Sequence, residues 1–212
     1  MKIKNISNSK QIILNYIIDN SKKYILVTLI FLIGIFAGVM IVNNSSQDTV
    51  VQISLYITDF IEKFKMTEKI NAGEFIISSI KNNTILACFL WFAGTTVIGI
   101  PLVFVLIFIR GLSLGYTISA FTYTLGTTKG VIFSILALFL QNILFIPAIL
   151  TIGVSSIKLY KSILKDRRKE SIKLEIIKHT IISVIMLLLL ILSSLIENGV
   201  SFIILKKMIK YF

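Results

Sequence analysis

Long apolar runs bounded by charge set the pattern of this chain. From Tyr24 to Val42 no charged residue interrupts the hydrophobic positions, and Lys22 and Lys23 stand just before them. About 20 residues rising ~1.5 Å each cross the ~30 Å hydrocarbon core of a bilayer, so the run predicts a membrane-spanning helix at 24–42. Its length, the long polar stretch ahead of it and the lack of an A-x-A site favour an uncleaved anchor over a cleaved signal peptide. Between Asn82 and Ile157 there are only two charges, Arg110 and Lys129. Read as one helix, 82–128 would be ~70 Å long, more than twice what a bilayer needs. Arg at the centre of a span costs at least ~2.5 kcal/mol, so Arg110 predicts a fold back to the interface, with spans at 84–109 and 111–128. Gly126-Thr127-Thr128-Lys129-Gly130 reads as a turn. A span at 131–157 follows it, and a Leu- and Ile-dense one at 180–196 follows a charged loop. The pattern as a whole predicts an all-α fold over 1–212. It is a single integral membrane domain, a polytopic bundle of about five transmembrane helices with amphipathic interfacial helices.

Three polar segments keep an apolar stripe. The N-terminal piece, 1–23, places Ile13, Tyr16 and Ile17 at helical spacing, and the basic loop 158–179 does the same with Leu159, Ile163, Ile172 and Ile176. Both read as interfacial helices. In the loop 43–83, Ile53, Ile57, Phe60, Ile61 and Phe64 share one helix face, with Asp59, Glu62, Lys63 and Lys65 on the other sides. Asn71-Ala72-Gly73 breaks that helix. Its stripe fits either an amphipathic helix resting on the outer leaflet or a docking face for a partner. About forty residues is too little for an independent enzyme domain.

Composition agrees with a membrane chain. Hydrophobic residues make up 56% and charged residues 15%, with a mean hydropathy of +0.91. These values exclude disorder and an ordinary soluble fold. The formal charge is +12, which in a soluble protein would suggest nucleic acid. With the N-terminus inside, however, the inner segments and Arg110 hold about 14 of the 22 basic residues. The positive-inside rule then selects a cytoplasmic N-terminus and an outer C-terminus, and accounts for the charge without nucleic acid. The 158–179 loop suits attraction to anionic lipid. The single cysteine, Cys88, excludes an intramolecular disulfide.

Within the spans, Gly34 and Gly38 form one G-x-x-x-G and Gly111 and Gly115 another. Small residues four apart let helix backbones approach closely, which predicts packing inside the bundle ahead of a homo-oligomer contact. Gln141 and Asn142 sit mid-span, and Pro147 frees a carbonyl near Ile143 that a nearby amide could satisfy. The three read as a buried polar clamp. Pro101 reads as a kink. His179 is expected as a solvated interface residue and Cys88 as a buried apolar thiol. No P-loop, G-x-S-x-G or H-E-x-x-H is present, and one histidine cannot make a pair for a metal or proton relay. No catalytic, cofactor-binding or metal-ligating residue is therefore assigned.

The ordered features resemble the stage II sporulation protein M family of endospore-forming bacteria. The residues that carry the resemblance begin with Phe36-Ala37-Gly38 through Val42-Asn43 and Lys81-Asn82-Asn83. They continue with Arg110-Gly111-Leu112 through Gly115-Tyr116, then Gln141-Asn142-Ile143-Leu144 through Pro147-Ala148. The match covers roughly residues 20 to 196, and it departs at Leu140, where the family tends to have Pro. The resemblance implies a non-enzymatic scaffold in forespore engulfment, held in the mother-cell membrane at the septum. It also implies two partners, the peptidoglycan hydrolases called stage II sporulation proteins D and P. Two readings compete with it. One is a transporter-type subunit, the permease half of an ATP-driven exporter, supported by the Gln141, Asn142 and Pro147 cluster. The other is a membrane-embedded enzyme with Cys88 as nucleophile.

Overall fold

Backbone in hydrocarbon must satisfy its own N–H and C=O groups, and the apolar runs do so as helices. A computed structural model describes residue 11 and residues 14–66, 72–165 and 169–196. After a short helical segment at 14–19 come α1 (Ser21–Asn43), α2 (Gln47–Met66), α3 (Ala72–Thr95), α4 (Gly99–Leu125), α5 (Thr127–Lys165) and α6 (Lys169–Ile196). Five of these contain stretches long and apolar enough to cross a membrane, at Ser21–Asn43, Ile76–Thr95, Gly99–Leu125, Gln141–Leu164 and Ile172–Ile196. They surround one apolar core in which Val27 and Phe31 meet Leu90, Val103, Ile107, Ile149 and Leu190. On the outside, α1 exposes Ile25, Leu29, Leu32, Ile33 and Phe36. A contiguous apolar surface of this kind suits lipid rather than water.

The boundaries of the second and third spans differ from expectation. The chain turns at Thr96–Ile98, and α4 then runs unbroken through Arg110. Thr96 Oγ1 donates to the Ala93 carbonyl at 3.1 Å, and the Gly99 N–H donates to the Thr96 carbonyl at 3.2 Å, closing the reversal. Pro101 therefore lies in the first turn of α4, where its missing N–H removes no helical bond, and it is not a kink within a span. At the other end of α4 the turn is Gly126 alone, whose φ of 84° is a conformation that L side chains rarely adopt. Thr127 already begins α5, so the expected five-residue turn is shorter. The expected interfacial helix at 158–179 is instead the end of α5 and the start of α6, and Leu159 of its stripe is fully buried. α6 likewise begins well before Thr180.

The most intimate packing joins α1 to α4. All four glycines of the two G-x-x-x-G motifs are buried. A Cβ on Gly34 would collide with the Phe108 carbonyl oxygen, and one on Gly38 with that of Leu112. Reciprocally, a Cβ on Gly111 would strike the Phe31 carbonyl oxygen and one on Gly115 that of Ile35. Each motif is the floor on which the other helix rests. Ser119 Oγ of α4 adds to this seam by donating to Asn43 Oδ1 of α1 at 3.3 Å, and elsewhere Asn83 Nδ2 of α3 donates to Ser194 Oγ of α6 at 2.8 Å.

Candidate functional site

Arg110 stands eleven residues into α4, ~16 Å along the helix axis from Gly99. A cation at that depth costs about 2.5–3.5 kcal/mol against lipid alone, so its neighbours matter. The guanidinium carbon lies 5.2 Å from the centre of the Phe145 ring, a cation–π contact across α4 and α5. Around it, Ser113 and Thr117 of α4 and Gln141 and Asn142 of α5 line a polar groove of about 120 Å³. Thr117 Oγ1 donates to the Ser113 carbonyl at 2.8 Å, and Asn142 Nδ2 to the Leu138 carbonyl at 2.7 Å. Ser193 of α6 donates to the Gln141 carbonyl at 2.9 Å, which ties the groove wall to the rest of the bundle. The amide of Asn142 thus serves Leu138 rather than the carbonyl of Ile143, and Pro147 is exposed and outside the groove. Gln141 and Asn142 do come together, but with Arg110 rather than with Pro147. The sequence pattern placed Arg110 at the interface, and one signal to the contrary was the small-polar spacing of Ser113 and Thr117 beside it.

The stripe on α2 is turned inward. Ile57 and Ile61 are buried against Ala120 and Phe133, with Ile53 partly buried beside them. Ile57 and Ile61 are thus held by the chain's own helices, while Ile53 and Ile57 also line an open cavity of about 470 Å³ together with Gln52, Tyr56, Tyr116 and Phe121. The side chains of Phe60 and Phe64 lie outside the described residues. Ser54 accepts a bond from Thr124 Oγ1 at 3.3 Å, which fixes α2 to the end of α4. Val51, Leu55 and Tyr56 of α2 are exposed, with Tyr56 lining the same cavity as Ile53 and Ile57.

His179 is not solvated. It is 1% exposed, with Nδ1 3.0 Å from Ser155 Oγ and Nε2 3.3 Å from the Trp91 carbonyl oxygen. It joins α3, α5 and α6 at the bundle end that also holds Tyr16 and Tyr24, and Tyr24 bonds Thr151 at 3.1 Å. Glu175, one turn before His179, pairs with Lys158 at 3.9 Å and Lys178 at 2.7 Å. Cys88, expected as a buried thiol, is exposed on the outer surface of α3. Among the described residues no group of three or more His, Cys, Asp or Glu is placed to hold a metal ion.

A bundle of five membrane-length helices with a lipid-compatible outer face is a multi-pass membrane protein. The chain belongs to the stage II sporulation protein M family, whose model matches residues 27–201. No curated protein and no solved structure matches the chain.

Proposed function

We propose that this protein is a non-enzymatic membrane scaffold that recruits and localises peptidoglycan hydrolases at the septum during forespore engulfment. The observation that carries the reading is family membership over residues 27–201, coinciding with a bundle stitched by glycine seams and hydrogen bonds. The family is not generally one of known enzymes. The partners in this reading are stage II sporulation proteins D and P, and the site is the mother-cell membrane. With Arg110 inside the bilayer, thirteen of the 22 Lys and Arg fall on the N-terminal side of the membrane and eight on the other. The positive-inside rule still favours a cytoplasmic N-terminus. On that orientation α2 and its exposed Val51, Leu55 and Tyr56 lie on the wall side, where the hydrolase domains act.

Two experiments test this. Fluorescent fusions of the two hydrolases should concentrate at the septum in sporulating cells and disperse when the chain is deleted; septal fluorescence that persists without it contradicts the reading. In a Cys88→Ala background, a membrane-impermeant maleimide should label Ser46→Cys in intact cells and Ile98→Cys only after permeabilisation. The reverse pattern inverts the orientation.

The permease reading finds support in the polar groove. It predicts that the chain copurifies with an ATPase rather than with wall hydrolases.

A further inference from the structure

We propose that the cavity between α3 and α6 binds a membrane phospholipid, with the Ser183 hydroxyl donating to an ester carbonyl of one acyl chain. The inference goes beyond the scaffold reading and does not depend on it.

The cavity has a volume of about 220 Å³ and lies between Cys88 and Trp91 of α3 and Thr180 and Ser183 of α6. Ser183 is 5% exposed, yet its Oγ has no hydrogen-bond partner among the described residues. Other buried serines of the bundle are satisfied. Ser134, Ser156 and Ser194 each donate to the carbonyl four residues earlier, at 2.8, 2.9 and 3.1 Å. Ser193 reaches across to the Gln141 carbonyl at 2.9 Å. Ser183 lines the cavity and does neither. A buried hydroxyl without a partner is costly in hydrocarbon, so the position favours a ligand that brings an acceptor.

The walls change character with depth. At the shallow end Trp91 Nε1 donates to Thr180 Oγ1 at 3.1 Å, and Trp91 stands one turn before α3 ends at Thr95. Lys178, exposed and paired with Glu175 at 2.7 Å, precedes Thr180 by two residues. Tryptophan and lysine at the end of a span mark the border of the hydrocarbon. Ser183 lies ~7.5 Å deeper than Lys178 along α6. At and below its level the walls are Ala87, Val184 and Leu187, which offer only apolar contact. A phospholipid carries the same order of groups, with ester carbonyls at the border and the acyl chain beneath them.

Other occupants fit less well. A buried water needs about two to four polar partners, and the walls beside Ser183 are apolar. A neighbouring transmembrane helix has its carbonyls engaged in its own backbone bonds, whereas the carbonyl of an acyl ester is free to accept.

The full chain is reconstituted in bilayers that mix a dibrominated phosphatidylcholine, a contact quencher of tryptophan, with either dioleoylphosphatidylcholine or its dialkyl ether analogue, which lacks the carbonyls. Trp91 is the only tryptophan, so its fluorescence reports lipid at this cavity. The diester should displace the brominated lipid about fivefold more effectively than the diether, the worth of one hydrogen bond. Ser183→Ala removes only the unpaired hydroxyl and should abolish this preference. Ser183→Thr retains a hydroxyl and should keep it. Equal displacement by the two lipids in the unaltered chain, or a preference that survives in Ser183→Ala, overturns the proposal. So does displacement by methyl oleate that matches the diester, which would assign the cavity to a free acyl ester rather than to a phospholipid.

Discussion

Gly115 of α4 faces the backbone carbonyl of Ile35 in α1 so closely that a Cβ added there would overlap the oxygen. Backbone cannot step aside as a side chain can, so α1 and α4 must separate when this position gains bulk. Gly115→Leu should lower the stability of the purified protein by about 3 kcal/mol, the upper end of the usual cost of overpacking. Gly73→Leu is the control, because a Cβ at Gly73 meets nothing within 4 Å. Thermal unfolding in detergent distinguishes them, and equal midpoints for the two variants would refute the seam.

His179 bridges Ser155 and the Trp91 carbonyl in a buried position. His179→Ala leaves both groups without this partner, at a cost of about 1–3 kcal/mol. Gly94→Ala approaches the same knot from α3, since its Cβ would overlap Ser156 Oγ and stand 2.8 Å from His179 Nε2. The two substitutions share the imidazole, so their effects should be non-additive in a double-mutant cycle. Strict additivity would mean that the two sites do not meet.

On α2, Ile57 and Leu55 should respond oppositely to the same change. Ile57 is 7% exposed and packs in the cluster with Phe133, whereas Leu55 is 65% exposed. Ile57→Asp should release α2 and speed proteolysis within 47–66. Leu55→Asp should leave the protease pattern unchanged and act only on partners. Equal protection in both variants would contradict the inward stripe.

The hydroxyl of Tyr16 is buried, with Ser155 as a polar neighbour that makes no well-formed hydrogen bond to it. Burial is the main reason its pKa is pushed up to about 12 from 10.0. Tyr16→Phe removes an unsatisfied polar atom and should leave stability unchanged or slightly raised. Because the folded pKa is the higher one, stability does not depend on the titration of this group below pH 10 and falls as pH rises from there toward 12. Alkaline loosening of the 14–19 segment should therefore be weaker in the Phe variant, as followed by hydrogen exchange.

The number of spans was legible because it depends on a local pattern, run length, and the four-residue glycine spacing marked faces suited to close packing without saying that Gly34 and Gly38 would meet the helix of Gly111 and Gly115. The position of the second turn was not legible. Thr95-Thr96 and Gly99-Ile100-Pro101 carried a turn signal, but the assumed cost of Arg110 in lipid outweighed it. That cost depends on Phe145 and Gln141, more than thirty residues away in sequence, whose proximity no local pattern reveals. The same holds for His179, whose partners stand 24 and 88 residues away. Periodicity was silent on what the apolar stripe of α2 meets, and it is Ala120 and Phe133, 59 or more residues further along the chain, that bury Ile57 and Ile61.

The scaffold account is tested most directly by purifying the tagged full-length chain from membranes of sporulating cells in mild detergent and quantifying the two wall hydrolases that accompany it. The account predicts that both are retained, and that Tyr56→Asp together with Leu55→Asp reduces retention without changing the amount of chain recovered. Recovery of the intact bundle with neither hydrolase would contradict it.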